Sequence, residues 1–116
     1  MGENSPDEKR KKVKYFKEFE KILGVIEEFI DAVNDKSQST PSTDTFSIKN
    51  LEFIKNSLIE YKEKTTEVLV KGITKLSYTD LIRLFFHIQN SIEQIKKLYT
   101  YTLEQSRKTN KDATTA

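Results

Sequence analysis

Apolar residues recur along this chain at alternating three- and four-residue steps in three separate stretches. The first runs Phe16, Phe19, Leu23, Ile26, Ile30 and Val33. The second runs Leu51, Ile54, Leu58 and Tyr61, with Thr65 in the next slot before Val68. The third runs Leu81, Phe85, Ile88, Ile92, Ile95 and Tyr99. That spacing stacks side chains along one stripe of a helix, and such a stripe has to be buried. Further apolar residues flank each stripe: Tyr15, Ile22 and Phe29 on the first, Leu69 and Ile73 on the second, Leu84 and Leu98 on the third. Each helix is therefore apolar over a width that touches two neighbours, as a three-helix bundle requires and a coiled-coil dimer does not. The expected fold is all-α, an up-down-up antiparallel three-helix bundle with helices over about 6–34, 48–76 and 78–106.

Local signals set the expected boundaries. Ser5-Pro6-Asp7-Glu8 has the form of a capping box with Pro at the first helical position. Asn34 suits the left-handed residue that often follows a helix end. The stretch 35–47 is rich in Ser and Thr, contains Pro41 and predicts a mobile loop. Ser47 is the expected cap of the second helix, with Phe46 packing on Leu51 as a hydrophobic staple. The polar gap Lys62–Thr66 and Gly72 predict bending or fraying toward that helix's C-terminus. Ser77 followed by Asp80 predicts another cap, so the turn near 75–77 is short and the second and third helices run antiparallel. Residues 1–5 are read as a flexible N-terminus and 107–116 as a disordered tail.

Composition narrows the chemistry. The 116 residues make one domain of which 33% are charged and 35% hydrophobic, with a net charge of +2. The absence of Cys removes disulfides, thiolate metal sites and thiol nucleophiles from this chain. No stretch reaches the roughly 20 apolar residues needed to span a bilayer. The polar start lacks a signal-peptide apolar region, so a soluble intracellular protein is the expectation and an exported fragment the alternative.

His87 is the single histidine, and no Cys or second His stands by to share a metal. Carboxylates such as Glu18, Glu60 and Glu93 fall outside the seams, where burial would not raise their pKa values for acid catalysis. The glycines are scattered at Gly2, Gly24 and Gly72 and form no phosphate-binding loop. The expectation is a protein with no catalytic residues, cofactor, metal or small-molecule substrate.

What remains is contact. Val70, Ile82 and Phe86 are apolar outside the seams and are expected to meet across the short turn as a partner-binding patch. Tyr99 and Tyr101 offer a second aromatic group at the other end. Lys9, Arg10, Lys11, Lys12 and Lys14 form a basic run that could meet a nucleic acid or an anionic membrane, although the Glu residues around it can neutralise it along the helix surface. Ser37, Ser39, Thr40, Ser42 and Thr43 beside Pro41 could accept phosphate. The leading expectation is an adaptor- or scaffold-type module that binds another protein or peptide through a helix face. Alternatives are a microbial surface ectodomain and nucleic-acid or membrane binding through the basic run. A homodimer is a further possibility.

Overall fold

The computed structural model describes the backbone of residues 6–115 and the side chains of residues 7–72 and 75–108. The chain forms three long helices, α1 (Pro6–Ser39), α2 (Thr45–Lys75) and α3 (Tyr78–Thr115), with no strand among the described residues. They pack as a rod of 70 × 18 × 16 Å in which every helix touches both others. Three ring pairs, Tyr15 with Tyr78, Phe19 with Phe85 and Phe29 with Tyr99, climb α1 and α3 together, so these two helices are parallel. Asn50 meets Thr102 and Tyr61 meets His87, so α2 and α3 are antiparallel. The all-α bundle read from the stripes is the fold.

The stripes supply the core. Phe19, Ile26 and Val33 from α1, Leu51, Ile54, Leu58 and Val68 from α2, and Leu81, Phe85, Ile88, Ile92 and Ile95 from α3 are buried. Phe29, a flanking residue, joins them. Thr65 is fully buried in its slot because its hydroxyl donates to the Tyr61 carbonyl at 2.7 Å, which leaves its methyl to pack. The core changes character along the rod. Near the α2–α3 turn it is aromatic, with Tyr15, Phe19, Tyr78 and Phe85 edge to face. Beyond Ile95 the buried positions of α3 become Thr102 and Ser106, facing Asn50 and Asp44.

Several boundaries differ from those read in the sequence. α1 continues to Ser39 instead of ending near Val33, and no described residue other than glycine has positive φ, so Asn34 is an ordinary helical residue. Pro41 sets the true end, since the residue before a proline is pushed out of the helical region. Ser39 and Thr40 close that end by donating to the Lys36 carbonyl. The connection is therefore five residues, 40–44, and not thirteen. Asp44, not Ser47, caps α2: its Oδ1 accepts the Ser47 amide at 3.2 Å. Moving the start back makes Phe46 a first-turn helical residue whose ring meets Tyr101 at 6.2 Å, instead of a staple on Leu51.

α2 is unbroken through the polar gap to Lys75, where the Leu76 amide closes on the Gly72 carbonyl at 2.9 Å. The Ser77 cap is present, its hydroxyl accepting the Asp80 amide at 3.2 Å. α3 runs on to Thr115, where a structureless stretch was expected from 107, because no Gly or Pro follows Gly72 to stop it. The Ser5 cap lies outside the described residues, and so does the side chain of Ile73. Glu8, its expected capping-box partner, places Oε1 3.3 Å from the Tyr78 amide and so helps cap α3.

Candidate functional site

Phe46 and Phe53 stand seven residues apart on α2 and so share one stripe, turned away from the core stripe of Leu51, Ile54 and Leu58 toward α3. Phe53 is 61% exposed and Phe46 49% exposed. On α3 the same side carries Leu84, Ser91 and Leu98 at seven-residue intervals, and His87, Gln94 and Tyr101 at the same interval. Phe53, Ser57 and Tyr61 with Ser91, Gln94 and Leu98 line a shallow groove of about 360 Å³ between the two helices.

Two ring contacts mark its ends. Phe46 meets Tyr101 edge to face at one end, and Tyr61 meets His87 at 6.0 Å at the other. Between them lie fifteen residues of α2, about 23 Å at 1.5 Å per residue.

On α2 this face presents Phe46, Asn50, Phe53 and Ser57; on α3 it presents Ser91, Gln94, Leu98 and Tyr101. Charge borders it: Lys49 stands three residues after Phe46 and four before Phe53, and Lys97 and Glu104 line a shallow groove with Tyr101. Below Tyr61, Lys64 lies over the Tyr61 ring at 5.3 Å and pairs with Glu60 at 3.6 Å. Lower still, the α2–α3 cleft is rimmed by Lys64, Glu67, Lys71 and Lys75.

The upper end of the face rests on a polar layer. Asp44 Oδ2 accepts the Ser106 hydroxyl at 3.0 Å, and Asn50 Nδ2 donates to Thr102 Oγ1 at 3.2 Å. Ser47 with its hydroxyl dipole and its amide, and Ser106, hold the Asp44 carboxyl below its ordinary value of 3.8 against the opposing effect of burial. Ser47 Oγ itself is buried without a well-formed hydrogen bond. Burial, and then the charge of Asp35, push the Tyr99 phenol above 10.0.

The residues chosen from sequence for partner binding do not share a patch. Val70 is 70% exposed and lines the α1–α2 groove with Ile30, Ile59 and Thr66. Ile82 is half-buried, and Phe86 is 48% exposed with its ring 5.5 Å from Phe85. This pair lies fourteen residues before Lys96 and Thr100, in phase with them, and those two line the α1–α3 groove with Val25 and Phe29. α1 therefore separates Val70 from Ile82 and Phe86. The short turn brings the helix ends together, but Val70 is two residues from both Val68 and Gly72 and so points away from the stripe they form.

The basic run is partly spent inside the molecule. Lys12 is buried, Lys11 sits over the Tyr78 ring at 5.5 Å, and Arg10 lies 3.8 Å from Asp7; Lys9 and Lys14 are exposed. Among the described residues no three His, Asp or Glu side chains gather where they could hold a metal ion, and no helix is long and apolar enough to cross a membrane.

The α2–α3 face was not found in the sequence. Phe53 is hidden between the seam residues Leu51 and Ile54, and Phe46 was assigned to a cap. The signal was present as two phenylalanines one heptad apart, beside the seam and not in it. Compared with protein-family models, curated proteins and solved structures, the chain finds no match in any of the three.

Proposed function

We propose that this chain is a non-enzymatic interaction module that holds another protein on the aromatic face of α2 and α3. The observation that carries the reading is the exposure of the Phe46, Phe53 and Tyr101 rings along one side of the rod. Interface cores are enriched in Tyr and Phe relative to ordinary surface, and this face shares that property. Nothing in the fold requires Phe46 or Phe53 where they stand, because the seams beside them are already filled.

The test is a capture experiment from source-cell extract with the intact chain and two variants. Phe53→Ser is expected to lose a protein that the intact chain retains, while Val70→Ser, on the other side of the rod, retains it. If the retained proteins are the same with and without Phe53, this face is not the docking surface. Loss with Phe86→Ser alone would transfer the role to the α1–α3 side.

A further inference from the structure

The outward side of α1 changes sign halfway along. Across the helix from the buried Phe19, Ile26 and Val33, a stripe begins with Arg10, Lys14, Lys17 and Lys21 at steps of four, three and four residues. After Gly24 the same stripe continues at the same steps with Glu28, Asp31 and Asp35. All of these residues are exposed. We propose that this stripe is a self-complementary contact through which two copies of the chain pair along α1. The two helices run antiparallel about a two-fold axis at Gly24.

An isolated helix does not select this order of charge. Neighbours along the stripe carry the same sign, and like charges three or four residues apart repel. Asp35 stands near the C-terminal end of α1, where the helix dipole disfavours an anion. Partners beside the stripe relieve only part of this: Arg10 lies 3.8 Å from Asp7, and Lys21 lies 3.5 Å from Glu18. A second copy supplies the rest. Turned end for end about Gly24, Lys21, Lys17 and Lys14 of one copy come level, within one residue, with Glu28, Asp31 and Asp35 of the other. The two-fold axis makes each pair occur twice. Gly24 places no side chain and no charge at the axis.

The other charges of α1 lie to the sides of the stripe. Glu20 and Glu27 recur with Asn34 at seven-residue intervals and turn toward the α1–α2 groove that Asn34 lines. Lys11 and Glu18 recur with Val25 and turn toward the α1–α3 groove that Val25 lines. A lipid surface or duplex lying along α1 would gain the basic half and be repelled by the acidic half on the same line. The stripe reversed end for end matches both halves, and a second copy presents it. Exposed ion pairs are individually weak and are screened by salt, so the pairing is weak and salt-dependent. The outward side of α1 is across the bundle from the α2–α3 face. Pairing therefore leaves both aromatic faces open, and the dimer offers two of them.

The experiment is sedimentation equilibrium of the intact chain and charge-reversed variants, with circular dichroism showing that each keeps its helices. At a protein concentration on the order of 0.1 mM the intact chain is expected to be a reversible dimer in about 0.01 M salt and a monomer in about 1 M salt. One variant combines Lys14→Glu, Lys17→Glu and Lys21→Glu; a second combines Glu28→Lys, Asp31→Lys and Asp35→Lys. Each alone is expected to be monomeric, and their equimolar mixture to pair at least about tenfold more tightly than the intact chain. A chain carrying all six reversals regains the complement and dimerises. Lys49→Glu with Lys97→Glu and Lys108→Glu, which changes net charge equally but away from the stripe, leaves the dimer in place. A monomer at low salt, a dimer that persists in about 1 M salt, or a dimer of either triple variant alone overturns the inference. Equal loss of pairing in the off-stripe control also overturns it. A monomeric chain that sediments with phosphatidylserine vesicles, and no longer does so once Lys14, Lys17 and Lys21 are reversed, gives the basic half to an anionic surface and overturns it as well.

Discussion

At the Asp44 carboxylate one side chain joins three segments: it ends the 40–44 connection, caps α2 through Ser47 and reaches α3 through Ser106. Replacing Asp44 with Ala is expected to lower the free energy of unfolding by about 1 kcal/mol, as loss of an N-cap does, measured by urea denaturation at neutral pH. The acid limb gives the sign. The folded carboxyl titrates below 3.8, so its contribution is complete above that value and is lost as pH falls through the lower folded pKa. The difference between wild type and Asp44→Ala should therefore shrink only below about pH 3.8 and stay constant above it. A difference that grows toward acid would contradict the hydrogen bonds described. Thr65 and Thr102 provide a second contrast. Both are fully buried and both return their hydroxyls to a carbonyl four residues earlier, but Thr102 also accepts from Asn50. Thr65→Val removes a hydroxyl with no other partner and should leave stability unchanged or raise it by about 0.5 kcal/mol. Thr102→Val leaves the Asn50 amide without its acceptor and should lower stability by about 1 kcal/mol. Calorimetric midpoints for the pair would test the opposite signs.

Among the helices, two glycines separate propensity from packing. A Cβ at Gly24 meets nothing within 4 Å, whereas at Gly72 it would lie 3.1 Å from Val68 Cγ1 and 3.4 Å from Phe16 Cζ. Gly24→Ala should raise stability by about 0.5–1 kcal/mol by helix propensity alone. Gly72→Ala should show no gain, because Val68 is buried and β-branched and has little freedom to move aside. Equal gains at both sites in denaturant melts would mean that α1 and α2 are less closely packed here than described. The same contrast shows what was legible in the sequence. Periodicity found the three helices and nearly every core residue, because burial of a stripe is a property of spacing. It misplaced the end of α1 and the cap of α2, because Ser47 and Asp44 are both competent caps and only packing against Ser106 decides between them. It grouped Val70 with Ile82 and Phe86, because proximity along the rod can be read from a short turn while the direction of a side chain depends on phase.

Across the whole rod, the core grades from aromatic rings beside the α2–α3 turn, through Ile88, Ile92 and Ile95, to hydroxyl and amide groups around Thr102 and Ser106. A buried Ile or Phe contributes about 1.5–3 kcal/mol, and a hydrogen bond of the Asn50–Thr102 kind about 1 kcal/mol. The upper part of α3 is thus held by the weaker class of interaction and should open by local fluctuation while the lower part stays closed. Amide hydrogen exchange at neutral pH is expected to be slowest over residues 85–95 and faster over 99–108. Asp44→Ala should accelerate the second set and leave the first nearly unchanged. Uniform protection along α3 would show that the core gradient does not govern its dynamics.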